Sequence, residues 1–136
     1  MSALPFGMSD AEDIEDIREQ KKEQLRSQAG TPDEPVHVEG GDHLEELLSD
    51  HDVVLADFYA DWCGPCEMLE PTVESVAAST PAAVAKVDID AHQELAARYQ
   101  VQGVPTLYLF VDGEPEDRMV GVQDEETLVE AVEAHA

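Results

Sequence analysis

Cys63 and Cys66 are the only cysteines in the chain, separated by Gly64 and Pro65. Thiols at this spacing can close into a small disulfide. One can then attack a disulfide in another molecule while the other resolves the mixed disulfide that forms. Other uses of the pair fit the residues less well. Covalent haem attachment needs a histidine directly after the second cysteine, and position 67 is Glu67. A zinc site needs four ligands; there is no second cysteine pair, and His37, His43, His51, His92 and His135 are scattered without ligand spacing. A purely structural disulfide across so short a loop would stabilise by only about 2 kcal/mol in the chain-entropy model. The residues favour redox chemistry.

Chemistry of this kind depends on what positions the thiols. Val53 to Ala60 reads as a buried strand, β-branched, aromatic or small throughout except for Asp57. Beyond Cys66 the pattern turns helical, with Met68, Leu69, Val73, Val76 and Ala77 at spacings of three and four. The cysteines therefore lie where a strand ends and a helix begins, with Cys63 expected to be exposed and Cys66 one turn deeper. The first turn of a helix has unpaired N–H groups and a partial positive charge, both of which stabilise a thiolate. Pro65 suits that turn because its missing N–H would have been unpaired anyway. Asp57, set among Val, Leu and Phe, should have a raised pKa and could exchange a proton with Cys66. Glu67 acts in the opposite sense, disfavouring a second negative charge beside the thiols.

Along the rest of the chain, Ser9-Asp10-Ala11-Glu12 forms a capping box for a helix expected over about 9 to 28. Gly30 and Pro32 end it, and its thin stripe of Ile14, Ile17 and Leu25 fits a solvated arm better than a docked helix. Residues 1–35 thus read as an amino-terminal extension and residues 36–136 as one domain. A short strand is expected at Val36-His37-Val38, then a helix capped at Asp42 and running to about Ser49. The central strand spans 53–60, and the helix after it 63–79, with Pro71 inside. A strand over 82–88, a helix over about 91–99 and a strand over 106–111 follow. Asp112-Gly113 marks a hairpin turn leading to a partner strand at Arg118-Met119-Val120. Asp124 caps a last helix. This order implies an α/β fold, a mixed sheet with helices on both faces.

The chain has 32 acidic and 7 basic residues, a formal charge of −25. That charge disfavours binding to nucleic-acid backbones and to anionic membranes. Dispersed rather than gathered in a tail, it reads as a solvated surface suited to concentrated salt, where self-repulsion is screened. No segment reaches the ~20 apolar residues of a membrane span, and the first residues do not resemble a secretory signal. A cytoplasmic location is expected.

The run Asp61-Trp62-Cys63-Gly64-Pro65-Cys66 resembles the active-site signature of the thioredoxin family. The likeness extends to Asp57, similar to the family's buried acid, and to Lys86 in Val84-Ala85-Lys86-Val87-Asp88. It also takes in Gly103-Val104-Pro105-Thr106 and Gly121, covering roughly residues 36 to 136. The resemblance implies the thioredoxin fold and a dithiol–disulfide oxidoreductase that reduces disulfides in cytosolic proteins. Its redox group would be the Cys63–Cys66 disulfide, with no metal and no other cofactor. Cys63 would be the nucleophile, Cys66 the resolving thiol, Asp57 the proton acceptor, and Lys86 the charge that holds Asp57. Trp62, Gly64, Pro65, Gly103, Val104, Pro105 and Gly121 would form the substrate-binding surface. Only about 5% of X–Pro bonds are cis, so the residues alone predict a trans Pro105. The resemblance reverses that and leaves the Val104 backbone free to pair with extended substrate. Expected partners are protein disulfides and a flavin-dependent thioredoxin reductase, with the protein a monomer. Two alternatives stand beside this: a more oxidising enzyme that makes or shuffles disulfides, and a binding module that uses the fold as a scaffold. Where many family members have a basic residue after the second cysteine, this chain has Glu67, so partner specificity does not carry over with the fold.

Overall fold

The computed structural model describes residues 31–135. The helix expected over about 9 to 28 lies outside them. The described elements are β1 (Val36–His37), α1 (Gly41–Asp50), β2 (Val53–Tyr59), α2 (Gly64–Ser79) and β3 (Ala83–Asp88). They continue with α3 (Gln93–Arg98), β4 (Thr106–Val111), β5 (Glu114–Val120) and α4 (Glu125–Glu133). The strands form one sheet in the order β1-β3-β2-β4-β5. β1, β3 and β2 run parallel, whereas β4 is antiparallel to β2 and β5 to β4.

The period of two along each strand sorts the core into two layers. Val54, Ala56 and Phe58 of β2, Ala83, Ala85 and Val87 of β3, and Tyr108 and Phe110 of β4 pack with Leu44 and Leu47 of α1 and Leu95 of α3. The alternate residues, Val53, Leu55, Val84, Leu107 and Leu109, pack with Leu69, Val73, Val76 and Ala77 of α2 and Leu128 and Val132 of α4. Each large apolar side chain buried in this way stabilises by about 1.5–3 kcal/mol. The same parity sets the direction of the polar residues in these strands. Asp57 follows Val53 and Leu55 by even steps, and Lys86 follows Val84. Both belong to the α2 side of the sheet, where the register pairs them across β2 and β3.

Several boundaries and orientations differ from the sequence reading. α1 starts at Gly41 with Gly40 at its N-cap, so Asp42 sits in the first turn and does not cap the helix. Asp124 does cap α4, accepting the Thr127 N–H at 2.8 Å. β5 begins at Glu114, well before Arg118, because Asp112 (φ 53°) and Gly113 (φ 84°) turn the chain tightly enough for pairing to resume at once. Met68 fits the apolar spacing of α2, yet it is 71% exposed. Leu69 takes the inward position beside it.

Candidate active site

Cys63 is the N-cap residue of α2, and its Sγ accepts the Cys66 N–H at 3.2 Å. One of the orphan donors at the helix start is thereby pointed at sulfur. Cys63 and Cys66 are joined as a disulfide. Both are buried, at 4% and 2% exposure, so the expectation that Cys63 would be the exposed member is corrected. The physical reason is packing: Ala60 and both cysteines form a small cluster against which Tyr59, Ile89 and Val104 rest. What stands exposed at this end is Trp62, 68% accessible, whose indole N–H donates to Asp90 Oδ2 at 2.8 Å.

The loop before β4 closes the other side. The Val104–Pro105 peptide is cis, and the Val104 carbonyl oxygen lies 3.7 Å from Cys63 Sγ. The Pro105 carbonyl accepts the Gly121 N–H at 2.8 Å, and the Gly103 carbonyl accepts Thr106 Oγ1 at 2.6 Å. Gly121 has φ 95°, a conformation that L side chains rarely adopt. Gly64 and Gly103 have open space where a Cβ would go. Pro65 occupies the first turn of α2 and is exposed. Val120 (60%) and Val122 (46%) add exposed apolar surface beside Gly121.

Under α2 lies a second cluster, made of charge. Asp57 is fully buried, and Lys86 is 2% exposed. Lys86 Nζ stands 3.2 Å from Asp57 Oδ2, close enough for an ion pair, although neither Asp57 oxygen has a hydrogen-bond partner. The hydrogen bonds of the ammonium go instead to Glu70 Oε1 and Oε2, at 2.7 and 2.6 Å. Lys86 Nζ also sits 4.1 Å from the Tyr59 ring centroid, a cation–π contact. Loss of solvation raises the Asp57 pKa to about 6, an effect that Lys86 opposes and Glu70 reinforces. The Tyr59 hydroxyl is also pushed up, by burial first and then by Asp88, Asp61, Glu70 and Asp57.

A family model for thioredoxin matches residues 34–134. The chain belongs to the thioredoxin family. It is 45% identical over 84 residues to a thioredoxin of Chlamydia trachomatis, covering 61% of this chain and 82% of that one. A thioredoxin of Staphylococcus aureus is also 45% identical, over 85 residues, 61% of this chain and 82% of that one. Among solved structures, a point mutant of the thioredoxin from Halobacterium salinarum is similar at 58% identity, with a TM-score of 0.76 over 77% of this chain and 93% of that one. The Fasciola hepatica thioredoxin is similar at 35% identity and TM-score 0.69, over 74% and 99%. Thioredoxins are disulfide oxidoreductases, and this member has the family's redox-active cysteine pair.

Sequence reasoning missed two residues of the site. Glu70 stands one helical turn after Cys66, an i, i+4 relation that puts both on one face of α2, and that spacing was the available signal. Asp90 had none, because its contact with Trp62 depends on where the chain travels after β3. Among the described residues, no group of three or more His, Cys, Asp and Glu is arranged to hold a metal ion. None of their helices is long and apolar enough to cross a membrane.

Proposed function

We propose that the protein reduces disulfides of cytoplasmic proteins as a monomer and is itself returned to the dithiol form by a thioredoxin reductase. The observation that carries this reading is the Cys63–Cys66 disulfide at the start of α2, with the Cys66 N–H on Cys63 Sγ and Val104 facing it. An N–H donor and the helix N-terminus favour negative charge on the Cys63 sulfur once it is reduced.

In the dithiol form, the Cys63 thiolate attacks one sulfur of a substrate disulfide. A Cys63–substrate S–S bond forms, the substrate S–S bond breaks, and the first substrate sulfur leaves as a thiolate. The Cys66 thiol then gives its proton to the Asp57 carboxylate and attacks Cys63 Sγ. The Cys63–Cys66 bond forms, the mixed disulfide breaks, and the second substrate sulfur leaves with the electron pair. The substrate gains the two electrons that the dithiol loses. A pKa of about 6 suits Asp57 to accepting this proton, since the group is largely ionised at neutral pH yet a stronger base than an ordinary aspartate. Extended substrate pairs with the Val104 backbone, flanked by Trp62 and by the rim at Gly121.

Trapping the intermediate tests the reading. A Cys66→Ser protein should accumulate a mixed disulfide through Cys63 with proteins from the cytosol, reversible by dithiothreitol. Cys63→Ser should abolish turnover of insulin disulfides with dithiothreitol as reductant. Turnover undiminished in Cys63→Ser would end the proposal.

A further inference from the structure

The charged cluster under α2 contains a carboxylate to which the mechanism above gives no role. Glu70 is the nearer partner of Lys86, engaging it with both oxygens at 2.6 and 2.7 Å, while Asp57 stands at 3.2 Å. We propose that Glu70 is a positioning residue. By holding the Lys86 ammonium on itself, it withholds hydrogen bonds from Asp57 and keeps Asp57 basic enough to take the Cys66 proton. The inference rests on the Asp57 role proposed above and adds the group that sets it.

Lys86 has few donors to share, since an ammonium has three N–H bonds. Glu70 accepts at two positions, and the Tyr59 ring lies against the same group at 4.1 Å. Asp57 is left with the charge of Lys86 and, at 3.2 Å, with no well-aligned hydrogen bond from it. A carboxylate paired directly with a cation has its pKa lowered by roughly 1–3 units. Lys86 lowers Asp57 first through its charge and only second through hydrogen bonding, and the negative charge of Glu70 opposes both.

Charge counting leads to the same result. With Lys86 positive and Glu70 negative, an ionised Asp57 leaves the buried cluster with one net negative charge. A proton on Asp57 makes it neutral. With Lys86 and Asp57 alone the pair would be neutral without a proton, and the drive to accept one would fall. The titratable groups around Asp57 are Lys86 on β3, Glu70 on α2, and Tyr59 on its own strand. β4 presents Leu107 at the paired position and so adds no charge. Farther out, Lys86 and Glu70 line a cleft of about 350 Å³ together with Asp33, Glu34, His37 and Glu74. The Glu70 side chain is 40% exposed, so it is held at the boundary between water and the buried pair.

Glu70→Gln keeps the size and removes the charge at a partly exposed position, which leaves the core intact. In the oxidised full-length protein in molar potassium chloride, carbon-13 NMR of the aspartate carboxyls reads the Asp57 midpoint directly. The midpoint should fall by about one unit, a tenfold loss of proton affinity. Resolution of a preformed mixed disulfide should slow about threefold near neutral pH, with its acid limb moving to lower pH. Glu70→Asp, which restores the charge, should bring the midpoint back toward the native value. An Asp57 midpoint that stays in place or rises in Glu70→Gln overturns the inference. An Asp57→Asn protein that resolves the mixed disulfide at the native rate would instead sink the mechanism on which it rests, and the two failures are distinct.

Discussion

Replacing Asp57 by Asn should make the protein's stability less dependent on pH, and the size of the change can be worked out. Asp57 has no solvent exposure, and its pKa rises from 3.8 to about 6 on folding. A raised folded-state value means that the folded chain binds the proton more tightly. The contribution is therefore fully present below the unfolded value and is lost as pH rises through about 6. At 1.36 kcal/mol per unit, the whole span amounts to about 3 kcal/mol, of which about 2–3 kcal/mol falls between pH 4 and pH 8. Asparagine cannot ionise, so this component disappears. Its buried amide introduces a cost of about 1–3 kcal/mol if unpaired, but that cost does not vary with pH and cancels in the difference between the two pH values. Urea unfolding of the oxidised protein in molar potassium chloride, followed by circular dichroism, would supply the numbers, with no thiol free to titrate. Relative to the native chain, Asp57→Asn should gain about 2–3 kcal/mol at pH 8 over its standing at pH 4. Parallel stability curves for the two proteins would refute the assignment of a raised pKa to Asp57.

Gly121→Ala should lower stability by about 1–2 kcal/mol, because φ is 95° there and open space around the Cβ gives no packing in return; chemical denaturation would measure it. The Tyr59 phenol should ionise above its ordinary value of 10, since burial and four neighbouring carboxylates oppose the phenolate; ultraviolet titration of native and Tyr59→Phe proteins isolates it. Stability should rise with potassium chloride from millimolar to molar concentrations as the charge of −25 is screened, and melting temperatures unchanged by salt would remove the reading of the surface as adapted to concentrated salt.

Much of this site could be read from the sequence because the physics that places it is local. The alternation of β2 puts Asp57 on the same side as Val53 and Leu55, and α2 packs over that side. The parity of Asp57 could thus be read before any fold was known, whereas the side that α2 covers is set by the fold. The cis Val104–Pro105 peptide was different, for its neighbours alone favour trans; the family resemblance supplied it. Burial of Cys63 depends on Ile89 and Val104, which arrive from the ends of other strands, and no spacing near residue 63 announces them. Met68 shows the limit of a helical stripe: Leu69 and Val73 satisfy the same pattern, and the helix can bury only one side.

The acidity of the chain bears on the interior as well as the surface. Of the three lysines and arginines among the described residues, Arg98 and Arg118 are exposed and Lys86 is buried. Burying a cation costs several kcal/mol unless partners compensate it, so in a protein with a charge of −25 this lysine is placed where its charge is needed most. It has two carboxylate partners, Glu70 at hydrogen-bonding distance and Asp57 slightly farther away. One cation cannot neutralise both. The carboxylate in water's reach retains its charge at little cost, and the enclosed one is left with the unmet demand for a proton. Acid lies all around this molecule, but the deficit falls on Asp57 because Asp57 alone of the two is sealed from water. In the mechanism proposed above, that proton demand is what would let the buried ion pair accept the Cys66 proton.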